Sequence, residues 1–229
     1  MGGQDSVLAK ELLLLGHRGA RSYAPENTLS AFDVALKHGA HGFEFDVRVT
    51  RDRQAIICHD PRFHRLSVRR HTLERLRAAV DTAERVPPVL DDVLAHYGGT
   101  AYLNIEVKVR GAARMVVDAI RRNPPTRGCL ITSFLPSVIH ELYEIHPRAT
   151  LGYLCQTPWQ LRRWPKMPAS VVVVNHRLLS PKLVERIHEQ GKTLVTWTVN
   201  NRERMLRVAE LGVDGIISDD TKLLVETIQ

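Results

Sequence analysis

The chain has 229 residues, of which 44% are hydrophobic and 25% charged, so it reads as an ordinary soluble globular protein with room for a large core. Its formal net charge is +7, but the basic residues are mostly arginines scattered along the sequence. With no Lys/Arg block interleaved with aromatics, and only 6% aromatics, the composition argues against nucleic-acid binding and for a positive field that attracts small anionic substrates.

Strand-like apolar runs alternate with amphipathic helical stretches from one end to the other. Leu12–Gly16 reads as the first strand, too short for a signal peptide or a membrane span. Thr28–His38 reads as a helix with Leu29, Phe32, Ala35 and Leu36 on one face and Asn27-Thr28 as its cap. Gly42–Thr50 is the second strand, extended by Ala55–His59 after a turn at Arg51-Asp52-Arg53. An arginine-rich insertion runs from Pro61 to about Pro88 and includes Arg62, Arg65, Arg69, Arg70, Arg75, Arg77 and Arg85. It reads as a short subdomain over the mouth of the fold.

Further strands follow at Tyr102–Lys108, Leu130–Ser133, Thr150–Leu154, Val171–Asn175, Thr193–Val199 and Gly215–Ser218. Helices fall at Ala112–Arg122, Pro136–Ile145, Pro181–Gln190, Arg202–Leu211 and Lys222–Ile228, and Gln156–Pro168 reads as irregular. Repeated strand–helix units imply a parallel sheet, and a count near eight favours a closed (β/α)8 TIM barrel in one domain. No Gly-x-Gly-x-x-Gly follows a strand, which weighs against a dinucleotide-binding sheet.

The most informative stretch is Gly42-Phe43-Glu44-Phe45-Asp46-Val47. Side chains alternate along a strand, so Glu44 and Asp46 share one face while Phe43, Phe45 and Val47 share the other. Two like charges on one face of a buried strand repel each other and lose hydration, and a cation between them relieves both costs. Glu106 and Lys108, two apart in the third barrel strand, also share a face. Three carboxylates (Glu44, Asp46, Glu106) offer hard oxygen ligands suited to a divalent metal cation, Mg2+ or Ca2+.

Other polar residues fall at strand ends, where barrel enzymes carry their chemistry. His17-Arg18-Gly19 closes the first strand, His59-Asp60 the extension of the second, and Ser218-Asp219 the eighth, with Trp197 near the end of the seventh. Arg18 and Lys108 suit phosphate oxygens, while His17 and His59 can exchange protons near neutral pH.

The motifs His17-Arg18-Gly19-Ala20, Pro25-Glu26-Asn27-Thr28, Glu44-Phe45-Asp46-Val47, Thr50-Arg51-Asp52 and His59-Asp60 occur in that order. They continue as Asn104-Ile105-Glu106-Val107-Lys108, Ser133-Phe134, Trp197-Thr198-Val199-Asn200 and Gly212-Val213-Asp214-Gly215-Ile216-Ile217-Ser218-Asp219. The ordered set resembles the glycerophosphodiester phosphodiesterases over nearly the whole chain. The resemblance implies a barrel enzyme that hydrolyses small glycerophosphodiester substrates to glycerol 3-phosphate and an alcohol. It implies Glu44, Asp46 and Glu106 as metal ligands, His17 and His59 as the acid/base pair, Arg18 and Lys108 as phosphate contacts, and Trp197 as a pocket wall near the glycerol end. Glu26 and Asn27 then fix the loop after the first strand, with Asn27 near the metal.

After His59-Asp60 the chain departs from the family pattern, which there carries an Arg, a Thr pair and a Gly-rich turn. Here it runs Arg65-Leu66-Ser67-Val68-Arg69-Arg70, in a short insertion whose only aromatic is Phe63. A small lid leaves room for a rival reading, hydrolysis of lysophospholipids, with Leu66, Val68 and the Trp159–Trp164 region as the apolar residues available to a lipid tail. A non-catalytic phosphate-binding barrel is a third reading, opposed by the intact histidines and carboxylates. Three cysteines, Cys58, Cys129 and Cys155, lie far apart with no Cys-x-x-Cys spacing and read as free thiols in the cytoplasm. No segment reads as a stable membrane insertion.

Overall fold

The computed structural model describes residues 12–80 and 86–229. Residues 1–11 and 81–85, the latter including Arg85 of the insertion, lie outside the described residues.

Eight parallel strands close into a barrel: β1 (Leu13–His17), β2 (Gly42–Val49), β6 (Tyr102–Val107), β7 (Cys129–Ser133), β8 (Thr150–Cys155), β9 (Val171–Asn175), β10 (Thr193–Trp197) and β11 (Gly215–Ser218). Between the second and third staves come β3 (Ala55–Ile57), antiparallel to β2, and a two-stranded hairpin of β4 (Arg62–Phe63) and β5 (Leu66–Ser67). The helices are α1 (Leu29–Lys37), α2 (Leu73–Arg77), α3 (Leu90–Tyr97), α4 (Ala113–Arg122), α5 (Pro136–Ile145), α6 (Pro158–Leu161), α7 (Pro181–Glu189), α8 (Arg202–Glu210) and α9 (Thr221–Ile228). The pairing of β1 with both β2 and β11 closes the ring. The expected (β/α)8 architecture is therefore present.

Alternation along the staves divides the apolar residues into two layers. Residues facing outward, such as Leu14, Phe43, Phe45, Ile105, Ile131, Val172 and Ile216, pack under the helices in one large core. Leu15, Leu130, Leu154, Val173, Val195 and Ile217 fill the barrel itself. Over β2 the outer layer is aromatic. Phe32 of α1 stacks on Phe43 with centroids 4.1 Å apart, and Tyr97 of α3 meets both rings edge-on. Each such buried ring contributes roughly 1.5–3 kcal/mol of transfer free energy. The packing holds β2 rigid from outside, which fixes the carboxylates on its inner face.

Three local readings change. Helix α3 falls directly after the insertion and covers β2 and β3. Its buried Leu90, Val93, Leu94 and Tyr97 follow the i, i+3, i+4, i+7 pattern, a period that was available in the sequence. The seventh stave ends at Trp197 instead of Val199, because Asn200 bonds Asp219 and Asn201 caps α8, so the chain must turn there. The segment Gln156–Pro168 is not wholly irregular: Thr157 and Gln160 form a reciprocal capping box that starts the short α6.

Candidate active site

The loop after β1 is built to reach β2. Arg18 and Gly19 have φ of 54° and 82°, so the chain reverses tightly after His17. Position 19 must be glycine for a second reason, since a Cβ there would lie 2.6 Å from the backbone of Ala31. The turn aims the Arg18 backbone N–H at Glu44 Oε2, 2.9 Å away. Asn27, at φ 58°, donates from Nδ2 to Asp46 Oδ2 at 2.9 Å and accepts the Asp46 N–H on Oδ1. Thr28 caps α1 by accepting from Ala31. The loop is thus tied to both β2 carboxylates, in keeping with the part expected of Asn27.

Register does the remaining assembly. His17 lies opposite Glu44, Glu44 opposite Asn104, Asp46 opposite Glu106, and Glu106 opposite Thr132. Inward-facing side chains of four consecutive staves therefore meet at the carboxyl end of the barrel, the end at which barrel enzymes work. Glu44, Asp46 and Glu106 are all buried, with one oxygen of each within 4.8 Å of the others. One divalent ion with metal–oxygen bonds of about 2.0–2.6 Å bridges a cluster of that span. The donor set fits a hard cation. Glu44 Oε1 is buried and accepts no hydrogen bond from the described residues, as a ligand atom kept free for a metal would be.

Cations of the chain itself crowd the same carboxylates. Lys108 Nζ lies 2.7 Å from Glu106 Oε1 and 3.2 Å from Asp46 Oδ1, and Arg18 Nε is 3.3 Å from Asp46 Oδ2. Arg18 is held in turn by Glu26, at 2.8 Å. The acidity of the three carboxyls diverges accordingly. Burial raises Glu44 well above the usual range, helped by the charges of Asp46 and Glu106. Burial and the Asp46 charge raise Glu106 to about 7 despite Lys108. Burial pushes Asp46 up as well, but Lys108, Arg18 and Asn27 outweigh it and hold its carboxyl low. Three carboxylates of such different basicity cannot all be ionised comfortably without another positive charge.

His17 and His59 line one cavity of about 440 Å³ with Arg18, Glu44, Glu106, Lys108 and Trp197. Of the eight residues expected to move protons, bind the metal or contact substrate, all but Asp46 line this cavity, and Asp46 is 1% exposed. His17 Nδ1 is 2.6 Å from Asp219 Oδ1, so the other ring nitrogen is the one left for a ligand. Burial pushes Asp219 up, but the contact with His17 dominates and keeps its carboxyl low. His59 Nδ1 meets Asp60 Oδ1 at 2.8 Å, and Arg48 Nε donates to its carbonyl at 2.7 Å. Burial lowers His59 below the ordinary histidine value, with Arg18 and Lys108 adding to that and Asp46 opposing it.

Sequence reasoning missed three participants. Asp219 was visible as a strand-end acid, but its partner lies 202 positions away and only the β1–β11 register joins them. Asn104 lines the cavity with a buried Nδ2 that donates to no described residue, while its Oδ1 accepts from Thr132. Arg48 follows Asp46 on the same strand face and steadies the His59 backbone.

The sequence matches the Glycerophosphoryl diester phosphodiesterase family over residues 17–223. The chain belongs to that family. It is 30% identical to a glycerophosphodiester phosphodiesterase of Caldanaerobacter subterraneus subsp. tengcongensis, over 95% of this chain and 98% of the relative. It is 29% identical to a putative glycerophosphodiester phosphodiesterase of Bacillus subtilis, over 91% and 94% of the two chains. Among solved structures, a putative glycerophosphoryl diester phosphodiesterase from Silicibacter pomeroyi superposes with a TM-score of 0.82 at 25% identity, covering 95% of this chain and 94% of that one. The same fold recurs at 22% identity and TM-score 0.81 in an Oleispira antarctica phosphodiesterase in complex with the product sn-glycerol-3-phosphate, over 94% and 96% of the chains. This glycerophosphoryl diester phosphodiesterase family member is an enzyme of glycerophosphodiester hydrolysis. The buried acidic triad sits where the ordered motifs converge, and no helix among the described residues is long and apolar enough to cross a membrane.

Proposed function

We propose that the protein hydrolyses small, polar glycerophosphodiesters to glycerol 3-phosphate and an alcohol, with Glu44, Asp46 and Glu106 holding one Mg2+ or Ca2+ and His17 and His59 moving the protons. The observation that carries this reading is the clustering of three buried carboxylates, one with an unpartnered oxygen, at a single cavity lined by both imidazoles. The cation, when bound, neutralises a phosphoryl oxygen and lowers the barrier to attack at phosphorus.

The chain's own groups do the rest. Arg18 and Lys108 neutralise phosphate oxygens, and both are already anchored at the carboxylate cluster. One imidazole takes the proton of the attacking hydroxyl, whether water or the neighbouring glycerol hydroxyl, and the other protonates the departing alcohol. Asp219 keeps the His17 ring oriented for that exchange. Trp197, with Phe134, Leu154 and Ile217, supplies the apolar lining of the cavity. The Trp197 indole N–H is buried and donates to no described residue, so it is free to meet a glycerol hydroxyl.

The lysophospholipid reading loses its apolar patch. Val68 and Trp164 are buried and Leu66 is half-buried. Trp159 is exposed, but Arg163 stacks on its ring at 3.6 Å. The three cysteines are free, with burial pushing Cys58 up to about 11 and Cys129 and Cys155 up to about 12, which suits a reducing cytoplasm and no thiol chemistry.

The test is turnover of glycerophosphocholine with Mg2+, Ca2+ or after chelation, in the wild type and in His17→Ala. Metal-dependent release of choline that disappears in the variant supports the reading. Full activity after exhaustive chelation, or in His17→Ala, contradicts it.

A further inference from the structure

A second cavity of about 440 Å³ opens beside the catalytic mouth, between the turn after β9 and the first two turns of α8. His176 and Arg177 line one side, Arg204 and Arg207 the other, with Thr198, Asn200, Asn201 and Glu203 between them. Positions 204 and 207 are three apart on a helix, so both guanidinium groups project from one stripe into the same space. Three arginines and a histidine face a single carboxylate there, and none of the three arginines forms an ion pair with the described residues. Like charges gathered without counter-charges repel, a cost that an anion removes.

His176 supplies an independent observation. Its Nδ1 is buried yet has no hydrogen-bond partner among the described residues. Burial lowers its proton affinity, and Arg204 and Arg177 lower it further, so both arginines lie close enough to act on the ring. Asn201 caps α8 through its side-chain oxygen, and its amide nitrogen donates to no described residue. The donors present are therefore planar guanidinium forks, an imidazole and an amide, the set that recognises phosphate oxygens.

We infer that this groove binds a phosphoryl group of an anionic ligand, separate from the phosphorus under attack. The groove abuts the active site through one residue. Asn200 lines it and donates to Asp219 Oδ2 at 2.6 Å, and Asp219 holds His17. A phosphate bound here is either free in solution, as a phosphomonoester, or the second phosphate of a longer glycerophosphodiester. That last arm rests on the proposed activity; binding itself does not.

The test uses the full chain in EDTA and calorimetric titration with inorganic phosphate and with glycerol 2-phosphate. EDTA removes metal from the catalytic carboxylates and leaves the arginine groove unaffected. A site distinct from the Arg18–Lys108 cavity is expected, weakened at least tenfold in Arg204→Gln/Arg207→Gln and unchanged in Arg114→Gln, a surface control, and in Arg18→Gln. Phosphate binding that the double variant leaves undiminished when Arg18→Gln is also present, or no binding in the wild type, overturns the proposal. Circular dichroism and an unchanged kcat/KM for glycerophosphocholine show that the double variant is folded. A glycerol phosphate oligomer then separates the two sources: a kcat/KM lowered about tenfold for the oligomer alone assigns the groove to a substrate phosphate. An unchanged value, with phosphate binding lost, assigns it to a free phosphomonoester.

Discussion

The two halves of the barrel mouth differ in kind. The staves β1, β2 and β6 contribute His17, Glu44, Asp46, Glu106 and the flanking Arg18 and Lys108, whereas β8, β10 and β11 present Leu154, Trp197 and Ile217 to the same cavity. The proposed cation accounts for the confinement of charge to adjacent staves, since its ligands would have to lie within one coordination sphere, which only neighbouring strands in register can supply. The opposite wall needs only shape and low polarity, and it strengthens every charge interaction across the cavity by excluding water. On the proposed reading the polar half carries the reaction, and the apolar half positions what enters.

The most severe way to break the comparison is to remove charge from the polar half. Glu44→Gln, Asp46→Asn or Glu106→Gln is expected to lower kcat by about 10³-fold or more and to abolish tight metal binding, read by turnover and by titration calorimetry. His17→Ala follows at about 10²–10⁴-fold in kcat with metal binding intact. Asp219→Asn is expected to cost about 10–10² in kcat with little change in KM, since it touches His17 and not the substrate. On the apolar half, Trp197→Ala should act in the opposite sense, raising KM about three- to tenfold and leaving kcat within a factor of a few.

The polar half also predicts a pH signature. Burial raises Glu44, and raises Glu106 from 4.5 to about 7, so the metal-free fold binds protons more tightly than the unfolded chain. Stability of the metal-free protein therefore falls as pH rises from about 4.5 through about 7. A bound cation replaces those protons, so the rise in Tm on adding metal should be larger at pH 8 than at pH 6. Equal increments at the two values would mean that these carboxyls do not hold the ion.

The smallest effect lies in the insertion. The β4–β5 hairpin turns through His64 and Arg65 at φ of 43° and 71°, positions where Asn-Gly is the favoured pair. Arg65→Gly is expected to raise stability by about 0.5–1 kcal/mol in chemical denaturation, with kcat unchanged.

The polar half was legible in the sequence for a physical reason. Alternation places Glu44 with Asp46 and Glu106 with Lys108 on common faces, whatever the tertiary structure. The barrel followed from the strand–helix repeat. What escaped depended on register between staves: the Asp219 contact with His17 and the position of Asn104 beside Glu44. The helix α3 escaped differently. Its apolar period is intact, but it follows the arginine-rich insertion directly and packs on the wall of the barrel rather than at the mouth.

Diffraction at the manganese edge from crystals grown with Mn2+ would test the shared coordination of β2 and β6 most directly. A single strong anomalous peak bonded to Glu44, Asp46 and Glu106 is the predicted result. A peak bonded elsewhere, or none at saturating Mn2+, would contradict the account.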